Sequence, residues 1–284
     1  MVVEAVDLDC EVEVSEGRLS LWPELFWGLE WLQLRWSPLY RGQGVTAGHG
    51  EPVVLVPGFL ASDASLGELR GWLERIGYRA IPSGIGRNSD CPDVLLEDIL
   101  RTAEGASAET GQRVRLIGHS LGGTLARAVA VRRPDLVAQV ITLGSPVREV
   151  TAHPLVLGIA RLMGRVTPSP SQRPRRHGDH VHDATCACDL VEALAKPFPK
   201  DVTRASIFSR RDGVVDWRSC LDEDPTANVE VHGSHLGLLV NLEAYGAVAR
   251  LLAAVPGNLE GAPAPVPHQG LRRTPKNQDY RHVI

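Results

Sequence analysis

The stretch Val114 to Thr124, VRLIGHSLGGT, constrains the fold of this chain more than any other. An aliphatic run, Val114 to Ile117, predicts a strand, and the small and helix-tolerant residues from Leu121 through Ala130 to Arg133 predict a helix. Between them stand Gly118, His119, Ser120, Leu121 and Gly122. A strand that turns this abruptly into a helix holds its apical residue in a strained backbone conformation. Glycines two positions before and two after are then required, because a Cβ there would run into backbone. Ser120 is thereby thrust out of the fold, with the N–H of Leu121 beside it at the helix N-terminus.

The rest of the chain repeats the alternation of strand and helix. Pro52 to Pro57 is an unbroken apolar run that reads as a buried strand. Leu66 to Ile76 predicts a helix, Tyr78 to Ile81 a strand, and Asp93 to Ala108 a helix capped by Ser89 or Asp90. Val140 to Leu143, Ala205 to Phe208 and Asn228 to Val231 supply further strands, and Leu236 to Ala254 a final helix. Parallel neighbours require crossover helices, so the pattern implies an α/β fold with a mainly parallel, doubly wound sheet. The alternation breaks once, from about 151 to 201. There a helix, Pro154 to Met163, a Pro-, Arg- and His-rich stretch and a short helix near Asp189 to Ala195 read as a helical cap or lid inserted between two strands.

The ends are different in kind. Residues 1 to 17 form an acidic arm, and the Trp-rich segment after it has apolar residues on more than one face: Trp22, Phe26 and Leu29 on one stripe, Trp27, Trp31 and Leu34 on another. That predicts a helix buried against the body of the domain. An interfacial helix is the second reading, but Glu24 and Glu30 oppose anionic lipid and no basic face exists. Residues 256 to 284 read as a disordered tail. The organisation is an arm and helix (1–44), an α/β body with the cap insertion (45–255) and a tail (256–284).

Of the 284 residues, 43% are hydrophobic and 23% charged, a globular composition, and the net charge of −4 argues against a nucleic-acid partner. The acidic N-terminus lacks the basic start and apolar core of a secretory signal, and no stretch reaches the roughly 18 apolar residues of a membrane span. The expectation is a cytoplasmic protein. Five cysteines fit reduced thiols, with a pairing of Cys186 or Cys188 to Cys220 as the alternative.

A serine hydroxyl becomes a nucleophile only with a base in hydrogen-bond reach and a carboxylate that orients the base. In an open parallel sheet such groups belong just beyond the carboxyl ends of strands. SIFSRRDGVVD, Ser206 to Asp216, places Asp212 there, and Asp216 competes from one loop further on. NVEVHGSHLGLL, Asn228 to Leu239, places His235 on a turn, whereas His232 falls on the outward side of the strand. Asp212 and His235 are therefore preferred. Two aligned N–H donors are also needed where charge develops on a carbonyl oxygen. Leu121 supplies one, and Phe59, in the turn Pro57-Gly58-Phe59 after the first buried strand, supplies the other.

The order Pro57-Gly58-Phe59, Gly118-His119-Ser120-Leu121-Gly122-Gly123, Asp212-Gly213-Val214-Val215, Gly233-Ser234-His235 resembles the bacterial lipase and esterase branch of the α/β-hydrolase superfamily. One departure is Pro57, where many of these lipases carry a histidine before the oxyanion glycine. The resemblance implies a serine carboxylic-ester hydrolase with Ser120 as nucleophile, Asp212 as acid, His235 as base and Phe59 and Leu121 as oxyanion donors. Gly58, Gly118 and Gly122 are then the motif glycines. The insertion and the few charges around Phe59, Leu60 and Leu121 favour an apolar acyl chain. An acyltransferase or thioesterase using the same triad is the alternative, and a non-catalytic lipid-binding module a further one. The implied partner is a small-molecule or lipid ester, with weak association to a membrane surface or lipid droplet left open. No cofactor is expected. His177, Asp179, His180, His182, Asp183, Cys186 and Cys188 could hold zinc, but their spacing follows no finger pattern, so no metal is expected either.

Overall fold

In a computed structural model, residues 22, 24, 27–89, 91–147 and 188–255 are described. Strands β1 (Pro52–Val56), β2 (Arg79–Pro82), β3 (Val114–His119), β4 (Val137–Leu143), β5 (Thr203–Phe208) and β6 (Asn228–Glu230) pair in parallel throughout, in the order β2-β1-β3-β4-β5-β6. The helices are α1 (Trp27–Trp36), α2 (Gly67–Arg75), α3 (Pro92–Thr110), α4 (Leu121–Arg132), α5 (Cys188–Ala195) and α6 (Leu242–Ala254). None of the described helices is long and apolar enough to cross a membrane.

Both faces of the sheet are covered, which is why β1 can be apolar at every position. Val53 and Leu55 pack with Leu69 and Leu73 of α2 and Tyr245 and Val248 of α6. Val54 and Val56 face the other way, toward Leu96 and Ile99 of α3, Leu125 and Val129 of α4 and Leu190 and Ala193 of α5. Two polar residues buried in the sheet finish α6. Arg115 donates to the carbonyls of Leu252 (3.2 Å) and Val255 (2.7 Å), and Gln139 to that of Leu251 (2.9 Å). They satisfy carbonyls that have no partner within the helix.

Several elements differ from expectation. α3 starts at Pro92, with Cys91 as its N-cap residue and no side-chain capping bond. Proline is favoured at a first helical position because the N–H it lacks would have no intrahelical partner, and the predicted Ser89 cap is not used. The expected final helix is two pieces, a 3₁₀ turn Gly237–Leu239 and then α6, whose N-cap Asn241 accepts from Ala244 N–H at 3.0 Å. Cys220 is a free buried thiol, so it makes no disulfide with Cys186 or Cys188.

The Trp-rich helix is the largest correction. Of α1 only Leu34 is buried, while Trp27, Leu29, Leu32 and Trp36 are exposed. The helix docks largely through polar groups rather than by burying two apolar faces. Arg35 and Tyr40 meet the Glu68 carboxylate, and Glu30 reaches the loop after β6.

The described part of the expected cap, α5, packs into the core beside α3 and α4 on the crossover from β4 to β5, with Leu190 N–H donating to Asp93 at 3.1 Å. The rest of the expected insertion, including Pro154 to Met163 and the zinc candidates from His177 to Cys186, lies outside the described residues. So do residues 1 to 20 and 256 to 284.

Candidate active site

Four strands deliver their following loops to one edge of the sheet: β1 the turn Pro57 to Phe59, β3 Ser120, β5 Asp212 and β6 His235. That edge lies at the carboxyl ends, beside the point where the strand order reverses between β1 and β3.

Ser120 has φ 52° and ψ −129°, between the last residue of β3 and the first of α4. Its N–H donates to Leu143 O at 2.9 Å, and its carbonyl accepts from Gly123 N–H at 3.0 Å. The glycines beside it have no room for a side chain. A Cβ on Gly118 would lie 2.4 Å from the Gly122 carbonyl oxygen, and one on Gly122 would lie 2.3 Å from that of Val56. Among the described non-glycine residues, positive φ occurs at Ser120 and at Leu60 (φ 61°). Both belong to loops at this edge, in keeping with strain held where the surrounding contacts over-determine it.

The turn after β1 lies against the serine. A Cβ on Gly58 would be 2.9 Å from His119 Nδ1 and 3.1 Å from Ser120 Cβ. Asn88 pins this turn from the side: its Nδ2 donates to Pro57 O at 2.7 Å, its carbonyl accepts from Leu60 N–H at 2.7 Å, and its N–H donates to Ala61 O at 2.8 Å. Phe59 follows Gly58 in the turn, and Leu121 opens α4, where the first N–H groups of a helix have no carbonyl one turn back.

Asp212 and His235 meet at the same edge of the sheet, where, among the described residues, no hydrogen bond joins His235 to Ser120. Asp212 Oδ2 is 2.7 Å from His235 Nδ1, and both side chains are buried. Asp212 Oδ1 accepts from the N–H groups of Val214 and Val215, each at 2.8 Å. A carboxylate on Nδ1 assigns the proton to that nitrogen and leaves Nε2 as the basic position. Gly144 (φ 55°) lets the pair approach β4: a Cβ there would be 3.0 Å from Asp212 Oδ2 and 3.2 Å from His235 Nδ1. Its neighbour Leu143 carries the carbonyl bonded to Ser120, so one dipeptide touches both the serine and the dyad.

The competing residues are engaged elsewhere. Asp216 caps the short turn Trp217–Cys220 by accepting from Arg218 N–H at 3.0 Å. His232 is exposed, with Nδ1 3.2 Å from Glu243. His119 is buried with its ring centroid 4.6 Å from that of His235, and its Nε2 is 3.0 Å from the His235 carbonyl. Burial above all, with His235 close by, pushes its pKa down to about 3, so it stands there as a neutral donor.

Sequence reasoning missed Asn88, Glu24 and Glu30. For the two glutamates the only signal was negative, their poor fit to a lipid-facing helix.

Comparison with known proteins agrees with this architecture. A family model described as the PGAP1-like alpha/beta domain matches residues 93–179, which include the whole elbow. A triacylglycerol lipase of Burkholderia plantarii is 32% identical over 130 residues, 43% of this chain and 36% of that one. Another, of Pseudarthrobacter phenanthrenivorans, is 34% identical over 106 residues, 34% of this chain and 33% of that one. The chain thus spans about a third of the length of these curated relatives. In structure it is similar to the Bacillus licheniformis lipase BlEst2 in its mature form, with a TM-score of 0.53 at 14% identity, covering 74% of this chain and 96% of that one. A metagenome-derived lipolytic enzyme, described under LipS and LipT, gives 0.52 at 18% identity, covering 74% and 95%.

The chain has the α/β-hydrolase fold. Parts of the chain are similar in sequence to triacylglycerol lipases.

Proposed function

We propose that the protein is a serine carboxylic-ester hydrolase acting through an acyl-enzyme. The observation that carries this reading is the buried Asp212–His235 pair at 2.7 Å, at the same edge of the sheet as a serine held at φ 52° on a strand-to-helix turn. Ser120 Oγ attacks the ester carbonyl while His235 Nε2 takes its proton. Asp212 holds the Nδ1–H tautomer and stabilises the imidazolium. The carbonyl oxygen, now negative, is met by the N–H groups of Phe59 and Leu121. His235 returns the proton to the leaving alcohol, and water, activated in the same way, releases the acid. No metal or cofactor enters these steps.

The half-buried Phe59, Leu60 and Leu121 around the serine, and the exposed Leu236 next to His235, favour an apolar acyl chain. The similarity to triacylglycerol lipases supports the same substrate class. The part of the expected insertion that precedes α5, from about 151 to 187, is the segment we assign to substrate selection. The test is hydrolysis of p-nitrophenyl esters of increasing acyl length. kcat/KM is expected to rise from acetate to a medium-chain acyl group. A protein that hydrolyses no ester at any length contradicts the activity, and one that prefers acetate contradicts the apolar subsite.

A further inference from the structure

The loop that carries His235 is held from outside the sheet by two carboxylates from the N-terminal segment. Glu24 Oε1 accepts from His235 N–H at 2.7 Å and from Gly213 N–H at 3.2 Å, and its Oε2 accepts from Leu236 N–H at 2.8 Å. One side chain thus joins the residue after Asp212 to His235 itself, across more than 180 positions of sequence. Glu30 Oε1 accepts from Ser234 N–H at 3.1 Å.

The loop is shaped to receive these groups. A Cβ on Gly237 would lie 1.7 Å from Glu30 Oε2, and one on Gly233 would lie 3.4 Å from it. A carboxylate that had merely folded onto the surface would not need Gly237 to clear its place. Glu30 is partly withdrawn from water, and burial raises its pKa against the lowering effect of the Ser234 N–H. Three successive N–H groups, Ser234 to Leu236, therefore end on carboxylate oxygens. Hydrogen bonds to charged acceptors are shorter and stronger than neutral ones, so the backbone of the base is held stiffly.

We infer that Glu24, assisted by Glu30, is a positioning residue for the proposed reaction. It fixes the His235 loop and the Asp212 loop relative to each other, so that the N-terminal segment completes the active site. The inference rests on the hydrolase reading. It gives a role to a segment whose sequence, with its exposed tryptophans, otherwise reads as a peripheral attachment. Misplacing a catalytic group by about 1 Å can cost about a hundredfold in rate, which bounds the effect.

The test uses the full chain and its Glu24→Ala, Glu24→Gln and Gly237→Ala variants, with folding checked by circular dichroism. Glu24→Ala is expected to lower kcat by about ten- to a hundredfold, with KM within about twofold of wild type. Glu24→Gln, which keeps one acceptor oxygen, is expected to recover part of that loss. Gly237→Ala, whose methyl group would meet both the Glu30 carboxylate and Ser234 Oγ, disturbs the same contact without changing either glutamate and is expected to lower kcat in the same sense. The deshielded proton resonance of His235 Nδ1–H should shift or broaden in Glu24→Ala, which a role in stability alone would not require. A folded Glu24→Ala variant with wild-type kcat and an unchanged resonance overturns the inference. So does a loss confined to KM. Wild-type protein with no esterase activity overturns the hydrolase reading instead, and the resonance then still decides whether Glu24 positions the dyad. Should Glu24→Ala not fold, Glu24→Gln and Gly237→Ala decide the matter by the same two readouts.

Discussion

The serine side and the histidine side of this site are built in opposite ways. Ser120 is placed mainly by its neighbours in sequence, with Gly118 and Gly122 clearing the space and Gly123 bonding its carbonyl, and one longer-range bond runs from its N–H to Leu143. His235 is held by groups from across the chain, its ring by Asp212, its carbonyl by His119 and its N–H by Glu24. The elbow is local geometry, and the histidine loop is tertiary structure. Local geometry leaves a motif in the sequence, whereas an assembly of distant groups leaves only scattered polar residues without a shared pattern.

The contrast can be broken most sharply at the serine. Ser120→Ala should lower kcat by at least about 10⁴-fold while the circular dichroism spectrum and melting point stay close to wild type. Substantial residual turnover would move the nucleophile elsewhere. On the histidine side, Asp212→Asn should cost about 10³- to 10⁴-fold in kcat, because an amide no longer holds the required imidazole tautomer. Asp216→Asn should leave kcat within about threefold and instead cost about 1 kcal/mol or less of stability, through the weakened cap on Trp217–Cys220. Rates and urea melts of the pair measure this, and a reversed order would reassign the acid.

A smaller effect concerns the residue where the two sides meet. His119 has a pKa of about 3 in the folded protein and about 6.5 when unfolded. Above pH 6.5 both states are neutral and its contribution to stability is complete. As pH falls below 6.5 the unfolded chain takes up a proton that the folded one refuses until about pH 3. Stability therefore declines through that window by up to about 1.4 kcal/mol per pH unit from this group. Urea unfolding at pH 7 and pH 5 should show a steeper loss for wild type than for His119→Asn. Equal slopes would place the ring in contact with solvent.

The same division explains what could be read from the sequence. The strands of the buried sheet announce themselves as apolar runs, since β1 and β4 are covered on both faces. The elbow is contiguous and equally plain. Asp212 and His235 follow strand ends, so sequence could put them on the right edge of the sheet, but their 2.7 Å contact is a property of the folded chain. Asn88 and the two glutamates were not legible at all. Glu24 and Glu30 sit among tryptophans and leucines in a segment whose apolar pattern predicted burial on more than one face. In the structure, much of that apolar surface is exposed and the acids face inward, because the loop after β6 offers a row of N–H groups that only an acceptor satisfies. The break before α6 was hidden as well: a continuous helix would have fitted the apolar pattern, but Val240 (φ −139°) leaves the helical conformation and Asn241 caps a new helix.

The most direct measurement is covalent. Folded protein treated with a fluorophosphonate should gain the mass of one adduct, mapped by peptide sequencing to Ser120. The adduct should be absent from Ser120→Ala and form much more slowly in Asp212→Asn. Folded wild-type protein that takes up no adduct, or takes it up at another residue, would contradict the account.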